Sequence, residues 1–145
     1  MKVLIQRVLS ASVTVEQEVV GAIDQGLLLF VCFEKNDNDD ALSKAVEKIS
    51  KLRIFDDENG RLNFDIKQIK GQILSISQFT LSWDGSGGHR PSFENSEAPQ
   101  TARLKYALFN KMLREKDITV NEGIFGAAMK VSLINDGPVT FLLEF

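Results

Sequence analysis

Two short stretches gather the polar groups that could carry chemistry. Ser77-Gln78-Phe79-Thr80-Leu81 follows the apolar residues Ile73, Leu74 and Ile76, so it stands at the carboxyl end of a strand. Polar and aromatic side chains at such an end often line a ligand site. An ordinary strand-to-loop transition would use the same residues. The second stretch is Asn135-Asp136-Gly137-Pro138. These residue types are what turns use, and a plain hairpin turn would account for them. An X-Pro bond is also the one place where a cis peptide costs little, and Gly137-Pro138 is where it would occur.

The common catalytic kits are missing. The chain has one histidine, His89, so a multi-histidine metal site is excluded and a Cys/His zinc cluster nearly so. It has no GxxxxGK phosphate loop, no GxGxxG after a strand and no GxSxG elbow. A Ser-His-Asp arrangement would have to use His89, which follows the glycine-rich segment Gly85 to Gly88 and reads as a solvent-facing loop residue. Cys32 lies in the apolar run Leu27 to Phe33 and reads as a small buried hydrophobe. A reactive thiolate would need an electropositive neighbour and some exposure. A small esterase using Cys32 and His89 stays as a rival. Thr80 could serve as nucleophile or water holder, but nothing close in sequence would activate it.

The elements that must hold these residues follow from periodicity. Lys2 to Arg7 alternates, Ala11 to Val15 alternates again, and Val19 to Ile23 is a third short strand. Gly26 to Phe33 is continuously apolar, as for a strand buried on both faces. The turn Asn36 to Asp40 is rich in capping residues and predicts a helix after it. Ala41, Leu42, Ala45, Val46, Ile49 and Leu52 fill one face of that helix, and Lys44, Lys48 and Lys51 the opposite one. That lysine stripe reads as a solvated face, with RNA phosphates as the sharper alternative. Arg53 to Phe64 reads as a hairpin about Asn59-Gly60. Gln72 to Leu81 is a central strand, Trp83 to His89 a loop, and Ser96 to Pro99 the start of a second helix. Met129 to Ile134 and Val139 to Phe145 read as the two arms of a final hairpin.

The predicted fold is mixed α/β: a mostly antiparallel or mixed sheet, or barrel-like sheet layers, covered by two helices. A chain of 145 residues predicts one domain, residues 1–145. A single cysteine excludes an internal disulfide. The longest apolar run is far short of the ~20 residues that span a bilayer. The amino terminus lacks a signal peptide's apolar centre, so a cytoplasmic protein is expected. The net charge of −3 argues mildly against a nucleic-acid partner that is gripped by many phosphates.

Together the two polar stretches resemble the signature motifs of the D-aminoacyl-tRNA deacylases. Gln6-Arg7-Val8 through Ala11-Ser12-Val13, Arg90-Pro91-Ser92-Phe93 and Ala128 to Leu133 are similar to further family segments, so the resemblance covers essentially the whole chain. It implies hydrolysis of the ester joining a D-amino acid to the 3′ end of a tRNA. It also implies a homodimer with active sites at the subunit interface, with no cofactor, metal, DNA or membrane partner expected. By the same resemblance Gly137 and Pro138 match a cis Gly-Pro element inserted into the other subunit's site, which rejects L-aminoacyl esters and should admit glycyl-tRNA. Ser77, Gln78, Phe79 and Thr80 match the pocket stretch, with Phe79 and Thr80 as the catalytic pair. Phe125 and Met129 look like pocket residues beside the terminal adenosine, and Arg7 resembles the arginine that supports the proline loop. The alternative is a non-catalytic module of the same fold that binds an RNA end.

Overall fold

The strand β1 (Lys2–Val15) organises the whole molecule. The structure, a computed structural model, describes residues 1–145. β1 pairs antiparallel with three neighbours: β3 (Gly26–Cys32) along its first half, β2 (Glu18–Ile23) along its second, and β8 (Lys130–Glu144) along nearly its full length. Beyond β3 the sheet continues with β6 (Gln72–Ser77) and β7 (Thr119–Glu122), both parallel to their inner neighbours. Parallel neighbours need crossovers. The helices α1 (Asp39–Ser50) and α2 (Pro99–Arg114) lie in them. The Asn121 amide donates to the Ala22 carbonyl at 2.5 Å, so β7 curls back toward β2 and the sheet is barrel-like. The small strands β4 (Phe55–Asp56) and β5 (Leu62–Phe64) form the expected hairpin outside it.

The sheet has two apolar faces. Val3, Ile5, Leu27, Leu29, Val31 and Ile73 face the helices, where Leu42, Val46, Ile49, Phe109 and Leu113 meet them. Val8, Ala11, Val13, Ile23, Leu28, Leu74 and Ile76 form a second cluster on the other face. Asn38 caps α1 by accepting from the Ala41 N–H at 3.0 Å, and Pro99 opens α2, as predicted. Gly26 allows the start of β3 to lie close against the start of β6, because a Cβ there would lie 1.8 Å from the Gln72 carbonyl oxygen.

Three predicted elements differ in the structure, and β7 has no counterpart among the predicted elements. The two predicted strands at the amino terminus are one. Val3 and Ile5 face the helices while Ala11 and Val13, of the same parity, face the second cluster. The side-chain phase therefore flips between them, at register shifts opposite β8. The final hairpin is also one strand. Residues 130–135 and 140–144 both pair with β1 in the same direction, so the chain never reverses. Between them Gln6 faces Thr140 and Val8 faces Asn135, so residues 136–139 loop out opposite the single residue Arg7. The third difference is that β6 ends at Ser77 rather than Leu81.

Candidate active site

The early end of β6 creates the site. Ser77 is the last residue paired with β3, opposite Val31, and pairing with β7 has already stopped at Ser75. Without a neighbour, the backbone leaves the strand at Gln78, whose N–H still donates to the Val31 carbonyl at 2.8 Å. Phe79–Ser82 then winds into a 3-10 turn with no side-chain cap. The first N–H groups of such a turn have no partner within it. The Leu81 N–H is taken up by the Gln78 carbonyl at 3.3 Å. The turn itself offers nothing to the N–H groups of Phe79 and Thr80.

Beside this turn lies a pocket of about 710 Å³. Ser77, Gln78, Phe79, Phe125 and Met129 all line it, so five of the predicted residues converge. Phe79 is exposed at the rim, where Phe93 meets it edge-on at 5.0 Å. Phe125 is backed by the ring of buried Tyr106 at 6.0 Å. Tyr106 is fixed in turn by a 2.7 Å hydrogen bond to the Ser75 carbonyl. Thr80 stands on the turn but outside the lining, and its hydroxyl accepts from the Gln78 side-chain amide.

No imidazole lines this pocket. Its one carboxylate is Glu97, which the residue pattern did not single out. Hydrogen bonds from the Lys105 ammonium at 2.6 Å and the Ala98 N–H at 2.9 Å hold Glu97 below the usual carboxylate range. A carboxylate so held is a poor proton acceptor. Cys32 also lines the pocket, yet it is 1% exposed, and burial pushes its thiol up to about 11. It donates weakly to the Phe79 carbonyl at 3.5 Å. That is a packing role and not that of a thiolate nucleophile. No three His, Cys, Asp or Glu side chains stand together as metal ligands.

The remaining predicted residues form a second cluster. Gly137 and Pro138 are exposed on the looped-out segment of β8, and the peptide between them is cis. Arg7, only 5% exposed, lies directly beneath. Its guanidinium donates to the Asp136 carbonyl at 3.1 Å and to the Ile54 carbonyl at 2.8 Å. It also pairs with the carboxylates of Asp136 at 3.2 Å and Asp56 at 3.3 Å. Asn135 brackets the same loop: its side chain accepts from the Val139 N–H at 2.9 Å and donates to the Thr140 hydroxyl at 3.0 Å. Neither Gly137 nor Pro138 lines the pocket of its own chain.

The model of the family described as D-Tyr-tRNA(Tyr) deacylase matches residues 4–144. The D-aminoacyl-tRNA deacylase of Saccharophagus degradans is 50% identical over 143 residues, covering 99% of each chain. That of Brevibacillus brevis is 49% identical over 144 residues, again covering 99% of each. Among solved structures, the c-Myc DNA Unwinding Element Binding Protein superposes with a TM-score of 0.94 at 36% identity, covering 100% of this chain and 99% of that one. A probable eukaryotic D-amino acid tRNA deacylase shares the fold, with a TM-score of 0.86 at 17% identity over 98% and 97% of the two chains. The chain belongs to the D-Tyr-tRNA(Tyr) deacylase family.

Proposed function

We propose that this protein hydrolyses the ester of D-aminoacyl-tRNA, releasing the D-amino acid and the tRNA. The observation that carries the chemistry is the 3-10 turn beside the pocket. Its N–H groups at Phe79 and Thr80 are free within the turn, so they suit the oxyanion that forms when water attacks the ester carbonyl. Losing one such donor costs on the order of 3 kcal/mol of transition-state stabilisation. No side chain is placed as a general base: Glu97 is held as a carboxylate by Lys105, and the Thr80 hydroxyl is engaged by Gln78. The terminal 2′-OH of the tRNA therefore orients the water. Ser77 and Gln78 hold the aminoacyl end, and Phe125 and Met129 flank the terminal adenosine.

Selection against L esters falls to Gly137 and Pro138. Their main-chain carbonyls take the α-ammonium and fix the Cα, so an L side chain meets the wall while a D side chain points outward. This selection uses no contact to the side chain itself. Glycyl-tRNA is then a substrate too. Because neither residue lines its own chain's pocket, a second copy supplies them, and the enzyme works as a homodimer. Support comes from β8, which has a strand on only one edge and exposes Ile134, Phe141 and Leu142. An unpaired apolar edge strand is where a second chain adds. No helix is long and apolar enough to cross a membrane.

The test is deacylation of D-tyrosyl-tRNA and L-tyrosyl-tRNA side by side, with Pro138→Ala in parallel. Rapid loss of the D ester alone, with selectivity collapsing in the variant, is expected. Equal or absent cleavage of both esters would leave the chain as a module that binds an RNA end.

A further inference from the structure

We propose that Arg103 binds a backbone phosphate of the tRNA 3′ end at the mouth of the pocket; this rests on the deacylase reading. Arg103 lies near the start of α2, next to Ala102 in the pocket lining. Its guanidinium carbon sits 5.3 Å from the centroid of the Phe125 ring, within cation–π range. Phe125 is a pocket wall with buried Tyr106 behind it, so the arginine is parked against a fixed surface. It makes one long hydrogen bond, 3.5 Å from Nη2 to the Phe125 carbonyl. It pairs with no carboxylate. Lys105, two residues on, is committed to Glu97 at 2.6 Å and to the Asp37 carbonyl at 2.8 Å.

The chemistry of the partner follows from these facts. An exposed guanidinium has five N–H donors, and most of these are unclaimed. Its planar fork matches the oxygens of a phosphodiester, and stacking on Phe125 holds it without occupying its donors. An aminoacyl ester buried in the pocket brings the terminal nucleoside to Phe125. The phosphodiester on that nucleoside's 5′ side then stays at the mouth, where Arg103 stands. In a chain of net charge −3, one well-held cation at this point supplies local attraction without a basic surface.

The experiment compares D-tyrosyl-tRNA with the D-tyrosyl ester of adenosine, which lacks the phosphate. The proteins are the parent, Arg103→Ala, Arg103→Lys and Lys67→Ala. Lys67 is an exposed cation in the turn before β6, at the opposite end of that strand from the pocket. Arg103→Ala is expected to lower kcat/KM on the tRNA ester about tenfold, with the adenosine ester unaffected. Arg103→Lys should recover part of the loss, and Lys67→Ala should match the parent. The dependence of log kcat/KM on log salt should become shallower by about 0.7 in Arg103→Ala. Equal loss on both esters would show that Arg103 only steadies Phe125, and would overturn the proposal. An unchanged rate on tRNA, or an unchanged salt slope, would overturn it as well. A parent protein that cleaves neither ester would instead sink the deacylase reading and take this proposal with it.

Discussion

Replacing Arg7 tests how the looped-out segment of β8 is held. Its guanidinium donates to two main-chain carbonyls, Ile54 at 2.8 Å and Asp136 at 3.1 Å, from a side chain that is only 6% exposed. Hydrogen bonds from a charged donor contribute about 1.5–3 kcal/mol each. At the lower end the two together are worth about 3 kcal/mol. The paired carboxylates are much more exposed, Asp56 at 47% and Asp136 at 32%. Screened pairs of that kind add at most about 1 kcal/mol. Arg7→Ala is therefore expected to lose about 3–4 kcal/mol of stability, a large part of the ~5–15 kcal/mol typical of a domain. Arg7→Lys keeps the charge but not the fork, and should lose about half as much. Asp136→Asn removes only an exposed ion pair and leaves the carbonyl contact, so it should cost under about 1 kcal/mol. Urea unfolding of the three variants gives the numbers. An Arg7→Ala protein within about 0.5 kcal/mol of the parent, or an Asp136→Asn protein as damaged as Arg7→Ala, would refute the claim that the carbonyl contacts carry the anchor.

Other predictions rest on single features. Gly26→Ala should abolish folded protein, since its Cβ would meet the Gln72 carbonyl at 1.8 Å, while Gly60→Ala, with open space around it, should cost only about 1 kcal/mol for its φ of +70°; circular dichroism and thermal melts distinguish them. Gly137→Ala should lose D/L selectivity, because φ is +126° there and a Cβ would lie 2.7 Å from a Val139 methyl and 3.3 Å from the Arg7 guanidinium; the paired D and L deacylation rates report it. Cys32 should resist an aromatic disulfide reagent at pH 8 in the native protein and react once unfolded, and Cys32→Ala should keep its hydrolytic rate. Burial pushes the Tyr106 hydroxyl from 10 up to about 12, so the folded state holds that proton longer than the unfolded state does. The resulting stabilisation is complete below pH 10 and is lost as pH rises toward 12, by about 2–3 kcal/mol. Tyr106→Phe should flatten that part of a stability-against-pH curve.

Much of the fold is legible in the sequence because single elements carry their own signals. The face of α1 through Leu42, Ala45, Val46 and Ile49 has helical spacing and a capping Asn38 before it. The run Leu27 to Cys32 is apolar throughout because it is covered on both faces. The misread elements are those whose shape is decided by a partner strand. Ser77 ends β6 because β7 has stopped pairing at Ser75 and β3 takes only the Gln78 N–H beyond it, although Leu81 would continue an apolar strand. Asn135 to Pro138 has the composition of a reversing turn, yet β1 pairs with the chain on both sides of it. Of the residues proposed for the site, Phe79 and Gly137 stand within motifs, whereas Glu97 in the pocket lining and Arg103 over the Phe125 ring are brought there by the start of α2 and leave no local trace.

The break in the alternation of β1 and the Gly137-Pro138 loop are two neighbouring irregularities of the same β1–β8 ladder. β1 must serve the helix-covered face with Val3 and Ile5 and the second face with Ala11 and Val13. A side-chain period of two cannot do that without a slip, so one extra residue, Leu9, stands in β1 between Val8 opposite Asn135 and Ser10 opposite Ile134. In the sequence the slip breaks the alternation and looks like a strand end. Two residues earlier, opposite Arg7, the extra residues lie in β8 instead, four opposite one, while β1 keeps a regular register with β3. Main-chain groups in such a loop are free of the ladder, which suits them to contact a ligand but leaves them soft. Arg7 keeps the phase of Val3 and Ile5, lies on the helix side beside Ile54, and so reaches the loop from a buried position. Irregularity without Arg7 would give a mobile bulge, and Arg7 without the irregularity would face an ordinary ladder with no carbonyl to hold. The loop and its anchor stand opposite each other at residue 7 of β1.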